Sequence, residues 1–315
     1  MLSYIFRRLI FDMIPTLVIV AIVSFALIHL TPGDPAVLML GDTATPAQIA
    51  ALHVQLGLND PLPLQFWFWV VRVMHGDLGQ SIFLHESVVQ GIADHLPVTL
   101  ELTLFSTLIT VLLGISSGII SAIFRGTILD KAMMALALLG LSIPEFYLGL
   151  LMALVIGVKL QWLPVAGYTS FMDDPLANLQ SMIMPALALG LGQAAFVSRI
   201  TRSSMLEVKG LDFIRTARAK GTPGGRVILV HMLRNAMVPI VSTTAVVISI
   251  LMGGATISET IFGIPGMGQL IISAVQNRDY PLLQGAVLVV VVVYVFINLA
   301  VDVVYALVDP RVRYS

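Results

Sequence analysis

Four carboxylates stand inside apolar stretches of this sequence: Asp12, Glu101, Glu145 and Asp302. A charged side chain in hydrocarbon costs roughly 2.5–3.5 kcal/mol even on insertion scales, so such groups mark cavities, proton paths or substrate contacts. Asp12, Asp302 and Glu101 lie near segment ends, where each reaches water. Glu145 is deeper and directly follows Pro144. Proline removes a backbone donor, and broken helix at membrane depth is tolerated around a cavity, which makes Glu145 the candidate for lining a pathway. A second constellation, G-I-S-S-G at 114–118, matches the G-x-S-x-G of serine hydrolases. That chemistry needs a strand-to-helix elbow, and these residues sit midway along an apolar run. Gly-x-x-x-Gly spacing in such a run instead lets two membrane helices approach closely. Intramembrane proteolysis would also need a histidine at matching depth, and His29, near a segment end, is the only candidate. No catalytic, cofactor-binding or metal-ligating set is therefore expected in this chain.

The elements that must position these groups follow from composition. Of 315 residues, 57% are hydrophobic and only 11% charged. A soluble domain cannot hide that much apolar surface, so the fold class is an all-α integral membrane protein. The net charge of −1 says nothing about partners, because the charges are segregated. The absence of cysteine excludes disulfides, thiolate metal sites and cysteine nucleophiles.

Six spans are expected, at 9–30, 98–124, 132–158, 182–198, 236–257 and 282–308. The first follows Arg7 and Arg8 and is too long for a signal-peptide core, and T-P-G-D-P at 31–35 is no cleavage site, so it is a retained helix. Residues 31–97 form the longest stretch between spans. There Thr45-Pro46 opens an amphipathic helix that Gly57 stops. A second helix covers 64–74, and its consecutive Phe66, Trp67, Phe68 and Trp69 read as an aromatic belt at the membrane surface. Gly253-Gly254 marks a flexible or close-packed point. Residues 256–267, T-I-S-E-T-I-F-G-I-P-G-M, are too broken to span and read as a half-buried outer loop. An even span count places both termini on one side. That side carries fourteen basic residues and the other only Arg72, Lys159 and Arg278. The termini, 1–8 and 309–315, are accordingly expected in the cytoplasm and 31–97 outside.

Eight of the seventeen basic residues fall within 199–239. Ser204 with Glu207 fits a capping box, and Asp212 can cap a second start. Phe213, Ile214 and Ala217 then fall near one helical face. Gly221 stands where a helix stop belongs, followed by Thr222 as a cap and Pro223 opening a helix towards Asn235. A basic loop can simply fix orientation or bind anionic lipid. G-T-P-G-G at 221–225 lacks the lysine and preceding strand of a phosphate loop, so any ATP used here binds to another chain.

R-T-A-R-A-K-G at 215–221 resembles the coupling loop of ABC-transporter permeases, in which an Ala pair precedes a Gly by four residues; here Thr216 replaces one Ala and Ala217 keeps the other. H-M-L-R-N-A-M-V-P-I after it is similar to the dipeptide, oligopeptide and nickel importer branch. The resemblance runs through Y-I-F-R-R-L at 4–9, G-D-L-G-Q-S at 76–81, T-L-E-L-T at 99–103 and L-P-V-A-G-Y at 163–168. It continues in T-R-S-S-M-L-E-V at 201–208, E-T-I-F-G-I-P-G-M-G at 259–268, R-D-Y-P at 278–281 and the segment 298–313. It implies a type I importer permease of the bacterial cytoplasmic (inner) membrane, with a coupling loop at 199–235. A second, homologous permease would complete a heterodimer. Two ATPase subunits would bind ATP and Mg below, and an extracytoplasmic binding protein would deliver substrate above. Membrane lipids surround such a chain, and nucleic acid has no part in it.

The ATPase contact must ride on an element rigidly joined to spans four and five, and the helix near 212–221 is the only cytoplasmic segment of adequate length. Asp212, Phe213, Arg215, Thr216, Ala217 and Gly221 are the expected docking residues. Peptides are the expected cargo, with glutathione and nickel as alternatives within the same family. An ion-coupled secondary transporter would show inverted repeats, and no convincing repeat is found.

Overall fold

The computed structural model describes residue 11 and residues 13–30, 33–40 and 44–308. The terminal segments 1–8 and 309–315, the start of the first expected span and Asp12 lie outside the described residues, as does the side chain of Asp302. The helices, in order, are α1 (Ile14–Leu30), α2 (Pro35–Leu40), α3 (Pro46–Leu56), α4 (Leu62–Met74), α5 (Val88–Ile123), α6 (Ile128–Ser142), α7 (Glu145–Met152), α8 (Pro175–Lys209), α9 (Asp212–Ala219), α10 (Gly224–Arg226), α11 (Arg234–Phe262), α12 (Met267–Gln276) and α13 (Tyr280–Val308). Among the described residues, four helical stretches are long and apolar enough to cross a membrane: α5, α8, Gly224–Phe262 and Tyr280–Val301.

The chain divides into two compact units. The first, Met1–Val98 with Pro265–Phe296, has a core of Val88, Ile92, Met267, Leu270, Ala274, Leu282 and Ala286. Its turns converge on buried Asp279, which accepts hydrogen bonds from the Ser81 hydroxyl at 2.6 Å and from the Phe83 and Leu282 amides at 3.0 and 3.1 Å. Thr45 and Gln48 form a reciprocal capping box at the start of α3, and Gly57 ends it at φ +69°. The four aromatics of α4 divide by helical spacing. Phe66 and Trp69 pack on Phe25 of α1, whereas Trp67 and Phe68 are exposed.

The second unit, Thr99–Ile264 with Ile297–Ser315, is built around α8, the most buried of the long helices, which packs against α11, α6 and α7. Small residues set its approach to α5. A Cβ added at Gly114 would lie 2.8 Å from Val197 Cβ, and one at Gly118 only 2.5 Å from Thr201 Cβ. Ser117 donates to Ser198 across this seam at 2.8 Å, and Thr110 donates to the Gly190 carbonyl at 3.0 Å. Ser116, the serine of the hydrolase-like pattern, is on the exposed face of an uninterrupted helix. The Gly-x-x-x-Gly spacing is a packing seam.

Several expectations require correction. The third span, expected as one helix over 132–158, is two helices bent by 99°. Ile143, preceding a proline, is extended at φ −86°, ψ 121°, which ends α6 at Ser142. Beyond α7, Ala153–Lys159 continues as π-helical turns. Ser204 and Glu207 do not cap a helix. They lie inside α8, where Thr201, Ser204, Met205 and Val208 continue its buried stripe. Residues 256–262 are no loop either, because α11 runs unbroken to Phe262 and stops only at Gly263, φ +58°. Helix α5 begins at Val88 and carries Pro97 within it, rather than starting at 98.

Candidate functional site

Helix α9 is short, and its position rests on one anchor. Ile214 is fully buried among Met205 and Val208 of α8, Val227 and Met232 of the π-helical Val227–Leu233, and Ala236 and Ile240 of α11. The helix is thereby pinned between the ends of two long helices. Its N-cap is Leu211, not Asp212, which occupies the first turn and favours the helix only through the dipole. At its other end the Gly221 amide donates to the Arg218 carbonyl at 2.9 Å and the Thr222 amide to Ala217 at 3.2 Å. This is a Schellman stop, with Gly221 in the left-handed region at φ +76°. Open space surrounds the position where a Gly221 side chain would begin, so backbone conformation alone selects glycine. Thr222 does not cap the next helix; Pro223 holds that position, and the chain continues through π-helical turns into α11.

Phe213 does not share the face of Ile214. It is exposed, as are Asp212, Arg215, Thr216 and Gly221, while Ala217 is partly covered. The Arg215–Asp212 pair, 3.4 Å apart and open to solvent, contributes little. Five of the six expected docking residues therefore form one outward surface, with an apolar ring among cations. Arg218 and Lys220 extend it.

A flanking arrangement joins two residues 72 positions apart in sequence. Arg202, counted with the basic loop, belongs to α8 and grips Asp130 of α6 with two bonds of 2.8 and 2.9 Å. The same carboxylate accepts from Ser121 and from the Gly126 amide. The turn between α5 and α6 is thus fastened to α8 just before the chain enters α9. Thr127 followed by Asp130 at capping spacing was the only local signal.

At the other end of this unit, Glu101 does not simply reach water. The Tyr168 hydroxyl donates to its Oε2 at 2.8 Å, and its Oε1 is buried with no hydrogen-bond partner among the described residues. Burial and the neighbouring Glu101 carboxylate push the Tyr168 pKa up to about 12. The Gly167 amide donates to the Phe262 carbonyl at 3.0 Å, so the 163–168 segment is a strap fastened to α5 and α11.

Glu145 opens α7 at the bend, half-buried, and lines a small cavity with Gly149, Ala188, Leu189, Ile257 and Ser258. An added Cβ on Gly254 would lie 3.1 Å from Glu145 Oε1 and 3.3 Å from Oε2. Gly254 thus gives the carboxylate its space, whereas Gly253 faces none of these groups. No group of three or more metal-binding side chains occurs among the described residues.

Residues 114–314 match the family of binding-protein-dependent transport system inner membrane components, and residues 1–103 match its N-terminal region. A Brucella abortus protein named as a peptide transport system permease is 43% identical over 96% of both chains. The glutathione transport system permease protein of Salmonella choleraesuis is 42% identical over the full length of both. The inward-facing MetNI methionine ABC transporter shares the fold at a TM-score of 0.57, with 19% identity, over 69% of this chain and 96% of that one. With its packed membrane helices and these matches, the chain belongs to the family of binding-protein-dependent inner membrane components: it is a multi-pass permease subunit of an ABC importer, served by substrate-binding and ATPase subunits that hydrolyse ATP in its stead.

Proposed function

We propose that this permease imports peptides, pairing with a second permease in a six-span, cytoplasmic-termini topology and coupling to its ATPases through α9. The observation that carries the coupling assignment is the pinning of Ile214 between α8 and α11 beneath an exposed face of Phe213, Arg215 and Thr216. A rigid body held this way transmits a push from a partner into two long helices at once. Asp212, Ala217 and Gly221 complete the docking element by setting its ends. Glu145, at the bend of the broken span, lines the pathway. Peptide cargo is supported by the 43% identical Brucella relative. Glutathione, itself a tripeptide, is the second reading, supported by the 42% identical Salmonella relative.

The test is affinity capture of the tagged chain from native membranes in mild detergent. Recovery of an ATPase and a second permease is expected, and Phe213→Asp should lose the ATPase while keeping the permease partner. Unchanged ATPase recovery from that variant would remove the docking assignment. Solute uptake by the lone chain without ATP would instead favour an ion-coupled carrier. The co-recovered binding protein, screened by thermal shift against peptides, glutathione and nickel, decides the cargo.

A further inference from the structure

The cavity at Glu145 has a composition that selects its ligand. Its volume is about 10 Å³, near the lower limit for one water-sized group. Two polar side chains line it, Glu145 and Ser258, and the remainder is apolar. The Ser258 hydroxyl donates its proton to the Pro185 carbonyl at 3.2 Å, so what it retains is acceptor capacity. Glu145 makes no ion pair or hydrogen bond with any described residue. With the Ser258 proton committed elsewhere, the lining offers acceptors, and no described residue sets a cation beside the Glu145 carboxylate. A group that fits is water-sized, cationic and a donor only. A primary ammonium meets all three requirements; a guanidinium is too broad and planar, and a hydroxyl brings no charge.

We infer that Glu145, with Ser258, binds the free α-ammonium of the transported peptide as it passes the bend between α6 and α7. This rests on the peptide-importer reading and holds for glutathione as well, since both cargoes carry that group. Small residues support the assignment. Gly254 leaves the carboxylate room, and Gly149, one turn on from Glu145, and Ala188 add little bulk to the lining. Glu145 is then a specificity-determining residue that admits cargo with an unblocked amino terminus.

The experiment uses the assembled importer in lipid nanodiscs, without nucleotide or binding protein. Its thermal unfolding is followed against methylammonium, dialanine and N-acetyl-dialanine at millimolar concentration. Methylammonium and dialanine should raise the melting temperature and N-acetyl-dialanine should not. Glu145→Gln should weaken the response by about tenfold or more, as expected for loss of a charged hydrogen-bond partner, and Glu145→Asp should retain part of it. Equal stabilisation by the acetylated peptide, an undiminished response in Glu145→Gln, or sodium acting as well as methylammonium would each overturn the assignment. If Glu145→Gln fails to assemble, Gly254→Ala supplies the test. Its methyl group crowds an intact carboxylate and should weaken methylammonium several-fold, whereas unchanged affinity counts against the site. The peptide reading is measured separately, as ATP-driven dialanine uptake with the binding protein present. Absent uptake with intact methylammonium binding would dismiss the cargo and leave the ammonium site standing.

Discussion

Arg202 and Asp130, 72 residues apart in sequence, meet through two parallel hydrogen bonds of 2.8 and 2.9 Å. The Asp130 side chain is 6% exposed and that of Arg202 26%, so the pair is largely withdrawn from water. Removing one partner of a buried pair leaves the other uncompensated, typically at a cost of about 3–5 kcal/mol. Asp130→Asn should therefore destabilise the chain by about 3 kcal/mol, the low end reflecting the partly exposed arginine. Thermal unfolding in detergent measures this. The double variant Asp130→Asn/Arg202→Gln should lose less than the sum of the two singles, and strict additivity would mean that the bonds carry no coupling.

Gly118 offers no room for a side chain, since an added Cβ would lie 2.5 Å from Thr201 Cβ and 2.6 Å from the Ser198 carbonyl. Gly118→Leu must push α5 away from α8, and overpacking of this kind costs about 1–3 kcal/mol. Reduced yield of folded chain and a lower melting temperature are expected. Ser116→Ala, on the exposed face, should change neither, as well as leaving uptake intact.

Gly221 is constrained by its backbone and not by its surroundings. A β-branched residue in the left-handed region costs roughly 1–2 kcal/mol, whereas asparagine visits that region more readily. Gly221→Val should fray the end of α9 and lower transport per ATP hydrolysed in reconstituted importer. Gly221→Asn should keep most of that ratio. Equal behaviour of the two variants would show that the Schellman stop has no part in coupling.

Tyr168 ties the strap at 163–168 to Glu101, and its raised pKa links the strap to pH. In the unfolded chain tyrosine ionises near 10, whereas Tyr168 in the folded protein holds its proton to about 12. Between these values the folded state binds the extra proton, so this contribution is complete below about pH 10 and is lost as pH rises towards 12. Alkaline unfolding curves of wild type and Tyr168→Phe should therefore differ in slope within that window. Parallel curves would exclude a role for the Tyr168 proton.

Local features were legible from sequence because they depend on short-range chemistry. Gly57 and Gly221 stop helices through left-handed backbone, and Thr45-Pro46 opens α3. Each is fixed by residues within a few positions. The membrane class follows equally directly, since 57% hydrophobic residues cannot be covered by a single soluble core.

What only the tertiary structure decided is which local signals prevail and which distant groups meet. Ser204 and Glu207 have capping spacing, yet burial of Thr201, Met205 and Val208 carries α8 through them. Ile214 and Phe213 are adjacent in sequence, and only the ends of α8 and α11 determine that one is the anchor and the other the exposed contact. Arg202 reads as one more loop cation until Asp130 is brought against it. Glu145 was visible as an isolated carboxylate, but its cavity depends on Gly254, more than a hundred residues away. Such pairings arise from side-chain packing between helices, where Cβ positions and unshared lone pairs decide the outcome, and a linear pattern of residue types does not encode them.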